Sequence, residues 1–223
     1  MSGVAVVVLG AGGNSLAIVD AIEEINRQPD APVRYDLRGF LDDIPANQGK
    51  EVMGYPVLGR IDEAGHFPDC MFINGIASES SYMKKPEIVA RSGVSRERFV
   101  SIIHPKATVA RTARIGAGTS IMANSVICPE AVVGDHVIIL QNTVVNHHSV
   151  IADHVTLSSG ITILGYITVE DSAFVGGGSS IRPYVTIGPR AMVGMGAVVV
   201  KDVPADGPVA GNPARPMQRK TKA

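Results

Sequence analysis

Tryptophan is absent from this 223-residue chain, and aromatic residues make up only 4% of it although 45% of its residues are hydrophobic. Aromatic rings supply much of the bulk of an ordinary core. Here aliphatic side chains have to fill it, which favours a regular stacked architecture. Cys70 and Cys128 are the only cysteines, too few and too far apart for a disulfide framework or a zinc site. They read as free thiols of a reducing compartment. The formal net charge of -1 leaves no basic footprint for nucleic acid. No stretch approaches the roughly 18 apolar residues of a membrane span. The apolar run 4–9 lacks a basic flank and leads straight into Gly10-Ala11-Gly12-Gly13, so it does not read as a signal peptide. A cytoplasmic protein whose partners are small molecules and copies of itself is expected, with neither nucleic acid nor membrane among them.

What the chain does have is a period. Ile, Val or Leu stands at every sixth position from Ile103 to Val199, seventeen times without a miss. Four residues after each, the side chain is mostly small or β-branched, as at Ala113, Thr119, Ser125, Ala131, Val137, Thr143, Ser149 and Val155. Gly often follows the aliphatic residue directly, as at Gly116, Gly134, Gly176, Gly188 and Gly194. A period of six suits neither a helix nor a plain strand. It suits short strands alternating with tight turns, three to a triangular coil, with the aliphatic residue inward, the small residue at a cramped corner and glycine easing the turn.

Before the ladder, the apolar run 4–9, a Gly-rich turn reaching Asn14 and Ser15, and the spacing Ile18, Ala21, Ile22, Ile25 read as strand, turn and helix, a Rossmann-like beginning. The turn is only G-x-G-x-x-S. The nearest acidic candidates, Asp42 and Asp43, lie about thirty positions on, against roughly 20 for a dinucleotide fingerprint, so NAD is poorly supported. No Gly-Lys-Ser/Thr follows, which excludes a P-loop. A second strand is predicted over 37–41, a third over 71–76, and a short helix over 86–91 ended by Gly93. These readings divide the chain into an α/β domain over 1–98, an all-β ladder over 99–203 and a C-terminal tail over 204–223, where Pro and Gly break the repeat and residues 219–223 look solvated.

The ladder resembles the hexapeptide-repeat acyltransferases. The order Gly10-Ala11-Gly12-Gly13, Gly39-Phe40-Leu41-Asp42-Asp43, Gly54-Tyr55-Pro56-Val57-Leu58-Gly59, Ile103-His104-Pro105, Asn146-His147 and Ala210-Gly211-Asn212-Pro213-Ala214-Arg215 resembles, more narrowly, the NeuD/PglD family of sugar acetyltransferases. Members acting on nucleotide-linked 4-amino sugars, GDP-perosamine N-acetyltransferase among them, look most similar. The resemblance implies a left-handed parallel β-helix, a homotrimer with active sites between subunits, acetyl-CoA as co-substrate and no metal. It implies an N-terminal domain that binds the nucleotide of the sugar, with Gly10, Gly12, Gly13, Asn14, Ser15, Asp42, Asp43, Gly75 and Ile76 as the candidate contacts.

Acetyl transfer from a thioester needs a base, a donor to the developing oxyanion and a groove for coenzyme A. His147 and Gly165 each stand two places after a ladder position and are 18 residues apart, one coil, so they should be neighbours about 4.8 Å apart. By resemblance, His147 is the general base and the Gly165 N–H meets the thioester oxygen. Gly177, Gly178, Asn212, Pro213 and Arg215 are the family-derived contacts for coenzyme A. Lys201, three coils from His147 on the same edge, is a further candidate for its phosphates or adenine.

Of the other histidines, His148 and His154 read as structural or adjacent to substrate, His104 as a linker residue and His136 as without chemistry. His147 and His148 are expected to diverge, as neighbours on extended chain do, and no carboxylate or thiol completes a metal site. Two departures from the family stand out: His148 occupies the place of an acidic residue, and Asn14 that of a histidine. An imidazole without a carboxylate is better matched to an amine than to a hydroxyl acceptor. The expected activity is therefore N-acetylation of a nucleotide-linked 4-amino-4-deoxy sugar for surface polysaccharide or glycan synthesis. The alternatives are sugar O-acetylation of the sialic-acid type and a non-catalytic β-helix serving as scaffold or sensor.

Overall fold

The computed structural model describes residues 3–217; the solvated tail predicted over 219–223 lies outside them. Strand β1 (Val4–Leu9), helix α1 (Gly13–Arg27) and strand β2 (Tyr35–Leu41) open the chain. After them come a hairpin of β3 (Glu51–Val52) and β4 (Tyr55–Gly59), then β5 (Met71–Asn74) and α2 (Lys85–Arg91). The sheet order is β3-β4-β2-β1-β5, parallel throughout except for the β3–β4 hairpin. That hairpin was not among the predicted elements. It turns on Met53 and Gly54, both at positive φ, the backbone that two-residue hairpin loops require. β5 stops at Asn74 because the Asn74 Oδ1 accepts the Ile76 N–H at 2.9 Å, turning the chain two residues earlier than predicted.

Seventeen two-residue strands follow, from β6 (Ile102–Ile103) to β22 (Val198–Val199). Each predicted aliphatic residue is the second of its strand, and every one from Ile121 onward is buried. Each strand pairs in parallel with the strand 18 residues on, which sorts the ladder into three sheets. A single column of Ile, Val, Leu and Ala side chains fills the space between them.

The corner residues behave as predicted. The Thr119 hydroxyl donates to the Gly134 carbonyl at 2.8 Å and accepts the Val137 N–H at 3.0 Å. Thr143 and Ser149 do the same four and five corners on. Each buried hydroxyl thus satisfies two backbone groups in the turn of the next coil.

The glycines after the aliphatic residues have a different role from the predicted one. Gly176, Gly188 and Gly194 do not lie at positive φ; a Cβ there would stand 2.6 Å from Met195 N, 2.6 Å from Ala205 N and 2.8 Å from Ala210 Cβ. They are glycine because the next coil leaves no room. The left-handed residue of each turn comes two places later, and it is often not glycine: Asn124, Asn142, His148 and Tyr166 all occupy it. The ladder also runs past Pro204. β23 (Pro208–Ala210) joins the eight-stranded sheet in parallel, and β24 (Arg215–Pro216) closes that edge in the antiparallel sense.

The N-terminal sheet sits on the first coils. Val6, Val8, Ile18 and Phe40 pack with Ile102 and Met122, and Phe72 meets Phe99. Lys85 at the start of α2 is fully buried, its Nζ donating to the His136 and Val155 carbonyls (3.3 and 3.2 Å) and the Thr156 hydroxyl (2.9 Å). Burial pushes its pKa down to about 7. Beside it the His136 and His154 rings stack at 5.0 Å, and the edge of His136 meets Phe99 at 4.5 Å. His136, predicted to have no chemistry, is thus a core ring. Among the described residues, no helix is long and apolar enough to cross a membrane.

Burial, and then the neighbouring His154, push the His136 pKa down from 6.5 to about 4. The unfolded chain therefore binds a proton that the folded one refuses between these values. Stability is full above pH 6.5 and is lost as pH falls through about 4. Allowing for partial solvent screening, His136 accounts for about 1–2 kcal/mol of that loss. Urea unfolding at pH 7 and pH 4.5 should show this acid destabilisation, and His136→Phe, which keeps both ring contacts, should reduce it without loss at pH 7.

Candidate active site

Two concave regions gather the predicted residues. The first lies at the carboxyl ends of β1, β2 and β5, where β1 leads on to β2 on one side while β5, on its other side, is entered from β4, the usual place for a ligand in an open parallel sheet. This cleft of about 310 Å³ is lined by Gly10, Gly12, Gly13, Asn14, Asp42, Asp43, Gly75 and Ile76. Gly12 and Gly13 have open space where a Cβ would stand.

Ser15, also a candidate contact, is absent from the lining. It is fully buried, and its hydroxyl donates to the Gly10 carbonyl at 2.7 Å, bracing the turn from behind. A Cβ on Gly75 would collide with that hydroxyl, which explains the glycine. Asp42 is also largely spoken for: its Oδ2 accepts the Ala11 N–H at 2.6 Å, and its Oδ1 accepts the Ile44 N–H at 2.7 Å and the Asn47 Nδ2 at 3.2 Å. Asp43 accepts the Ile61 N–H and pairs with Arg91. The lining also includes Ser78, Ser80 and Ser81, whose hydroxyls bond to one another. Sequence reasoning passed over them, though the Ser-rich run after the third strand was a signal.

The second region lies along the ladder. Val144–Val145 pairs with Thr162–Ile163, so His147 and Gly165 occupy successive coils. The His147 ring lies over Gly165 so closely that a Cβ there would stand 2.7 Å from its Cε1. Among the described residues the Gly165 N–H donates to no acceptor, which leaves it available.

His147 and His148 do not diverge. His148 has φ 58°, a left-handed conformation that turns its ring back, and the two Nδ1 atoms meet at 3.1 Å. His148 stacks on Tyr166 at 4.8 Å, and Tyr166 on Tyr184 at 5.2 Å. Neither tyrosine was singled out from the sequence, although Tyr166 stands one coil and Tyr184 two coils, in steps of 18 residues, from His148. His154 is half-buried in its stack with His136, and His104 is buried, its Nδ1 accepting the Lys106 N–H at 3.0 Å.

Gly177 and Gly178 follow a strand of the eight-stranded sheet, whereas His147 and Gly165 follow strands of the six-stranded one. The two groups border the six-stranded sheet from opposite sides. Its outward residues there, Thr162 and Ser180, are small. Lys201 and Arg215 both line a cavity of about 370 Å³ at the C-terminal end of the ladder. Asn212 and Pro213 are in the turn between β23 and β24, outside that lining. Among the described residues no three His, Cys, Asp or Glu side chains converge as a metal site would need.

Residues 112–147 match the bacterial transferase hexapeptide family, six repeats of it. The chain superposes on the acetyltransferase domain of PglB from Neisseria gonorrhoeae in complex with acetyl coenzyme A with a TM-score of 0.82, at 28% identity over 97% of this chain and 100% of that one. It also superposes on PerB from Caulobacter crescentus, in complex with CoA and GDP-perosamine, with a TM-score of 0.80 at 27% identity over 98% of each chain. The chain is thus similar over nearly its whole length to the NeuD/PglD-like hexapeptide-repeat acetyltransferases. A curated protein of similar sequence is the UDP-N-acetylbacillosamine N-acetyltransferase of Bacillus subtilis, 34% identical over 120 residues that make up 53% of this chain. The match spans 51% of that relative's length.

The bonding of Asp42 separates it from Asp43. Asp42→Ala strands two backbone N–H groups and should cost about 1–3 kcal/mol, read as a lowered unfolding midpoint in urea. Asp43→Ala strands only one, the Ile61 N–H, and breaks a partly exposed ion pair with Arg91, so its cost should be the smaller of the two, about 1 kcal/mol.

Proposed function

We propose that this protein is an acetyl-CoA-dependent N-acetyltransferase that acetylates the amine of a nucleotide-linked 4-amino-4-deoxy sugar, GDP-perosamine-like or UDP-linked, in the making of a surface polysaccharide or glycan. The observation that carries the proposal is the His147 ring seated over Gly165 on adjacent coils. A base and a backbone donor within one coil of each other are what acyl transfer to an amine requires.

In this reading the amine attacks the thioester carbonyl carbon and a C–N bond forms. The oxygen takes the negative charge facing the Gly165 N–H, and His147 Nε2 takes the amine's proton. The C–S bond then breaks, and the thiolate leaves as the thiol with that proton. Coenzyme A would lie along the six-stranded sheet, over Thr162 and Ser180 and beside Gly177 and Gly178, with its phosphates near Lys201 and Arg215. Asn212 and Pro213 would shape the turn beside it. The nucleotide would sit in the cleft after β1, β2 and β5, its phosphates facing the bare backbone of Gly12 and Gly13 at the α1 N-terminus.

The same reading takes 1–98 as a Rossmann-like domain, 99–203 as a left-handed β-helix and 204–223 as a tail whose first part caps the ladder. It takes the working form as a homotrimer in the cytoplasm, with the site completed by a neighbouring copy. Met195 is 81% exposed and Tyr184 76% in the single chain, and such apolar side chains beside the site suit a subunit interface.

Coenzyme A release should be measured with UDP- and GDP-linked 4-amino sugars and with their 4-hydroxy counterparts. His147→Ala should lower kcat by roughly 10²–10⁴ while acetyl-CoA binding by calorimetry survives. Near-wild-type turnover by that variant, or equal rates for amine and hydroxyl, would refute the reading.

A further inference from the structure

We propose that His148 is the positioning residue for His147, taking the place of a carboxylate, and that the ring column His148–Tyr166–Tyr184 holds it there. The proposal rests on the reading of His147 as the base. Two imidazole nitrogens 3.1 Å apart share one hydrogen, so one ring donates and the other accepts. With His148 Nδ1 accepting, His147 carries its proton on Nδ1 and keeps the Nε2 lone pair for the amine. When Nε2 takes the amine's proton, the Nδ1–H to His148 becomes a charge-assisted bond and strengthens.

The backbone pays a conformational cost to bring the rings together. A left-handed conformation disfavours residues with a Cβ. The corner before the six-stranded sheet meets that requirement with Asn124, Asn142, Gly160, Gly178 and Gly196, residue types that tolerate it, whereas the corner carrying His147 uses Glu130, His148, Tyr166 and Tyr184. At three successive coils this corner gains ring stacking: His148 on Tyr166 with planes 17° apart, and Tyr166 on Tyr184 at 12°. The edge of Tyr166 also meets His147 at 5.3 Å, and its N–H donates to the His147 carbonyl at 3.2 Å. His147 is therefore confined by Gly165, by Tyr166 and by His148 at Nδ1.

Stacking and hydrogen bonding can be separated by substitution. His148→Phe keeps a flat ring for Tyr166 and removes the acceptor. His148→Asn keeps an acceptor and tolerates positive φ. Both would be assayed as the full chain with acetyl-CoA and an amino-sugar nucleotide that the wild type turns over, and the His147 ring followed by 15N NMR without ligands. The expected result is a protonated Nδ1 on His147 in the wild type and in His148→Asn, and a shift toward the Nε2–H tautomer in His148→Phe. With it, kcat should fall about 10- to 100-fold in His148→Phe, the range for losing the partner that orients a functional histidine. KM for acetyl-CoA should hold, and His148→Asn should recover most of the rate. Wild-type kcat in His148→Phe, equal losses in both variants, or an unchanged tautomer would overturn the assignment. Should no amino sugar be turned over, the functional reading falls, and the His147 tautomer alone then decides whether His148 orients it.

Discussion

Most of this structure depends on one constraint: each two-residue strand must meet its neighbour 18 residues away without drift. The bonds that enforce it run parallel from coil to coil, Gly116 N–H to the Val133 carbonyl at 2.8 Å, Gly134 N–H to the Ile151 carbonyl at 2.8 Å, Asn146 N–H to the Ile163 carbonyl at 3.0 Å. Strands this short have no reserve. A slip of one residue would turn every aliphatic side chain outward and every corner hydroxyl away from its carbonyl. Chemistry in such a frame comes in columns. Asp135, Asp153 and Asp171 form one, each of the last two accepting the N–H of its predecessor. His136 over His154 is a second, His147 over Gly165 a third, and the rings of His148, Tyr166 and Tyr184 a fourth.

The N-terminal cleft is built on the opposite plan. Its lining joins bare glycine backbone and serines to Ile44, Ile61, Ile76 and Ile88, and its Gly-rich turn is held by side chains of other segments or from behind. The Ser15 hydroxyl fixes Gly10 and the Asp42 carboxylate fixes Ala11, so the Gly-rich turn is held from two sides without filling the cleft. An anion meeting the α1 N-terminus then finds donors already aimed. Replacing either brace would loosen the turn, although Ser15 does not reach the cleft and Asp42, which lines it, has its oxygens engaged by backbone N–H groups.

How much of this was legible in the sequence follows from the range of the interactions involved. The ladder and the adjacency of His147 and Gly165 came from counting in sixes, because a zero-drift register turns sequence distance directly into space. The sheet order and the cleft were partly legible through Gly10, Asp42 and Gly75, which mark strand ends. The roles of Ser15 and Asp42 were not, since a polar residue beside a glycine turn reads alike whether it faces a ligand or the backbone. The His147–His148 contact was missed because it depends on one dihedral angle: extended neighbours diverge, and only φ 58° at His148 brings the rings together. The glycines after the aliphatic residues were seen but misread, because crowding by the next coil is a property of the stack and leaves no local mark.

The joint between the two parts shows why a costly group can persist. Apolar contacts such as Ile102 with Ile18, or Phe72 with Phe99, draw the sheet onto the first coils, but burial of apolar surface is non-directional and would accept many rotations. Lys85 has no such latitude. Its one nitrogen must meet two carbonyls and a hydroxyl on two coils, His136 on one and Val155 and Thr156 on the next. The desolvation that pushes its pKa down to about 7 works against stability, yet any rotation that broke those bonds would leave a buried amine unpaired, which costs more. Arg96 adds a two-pronged pair to Asp135 on the same coil as His136. Directional bonds placed inside a non-directional contact fix the orientation of the cleft relative to the column that carries His147.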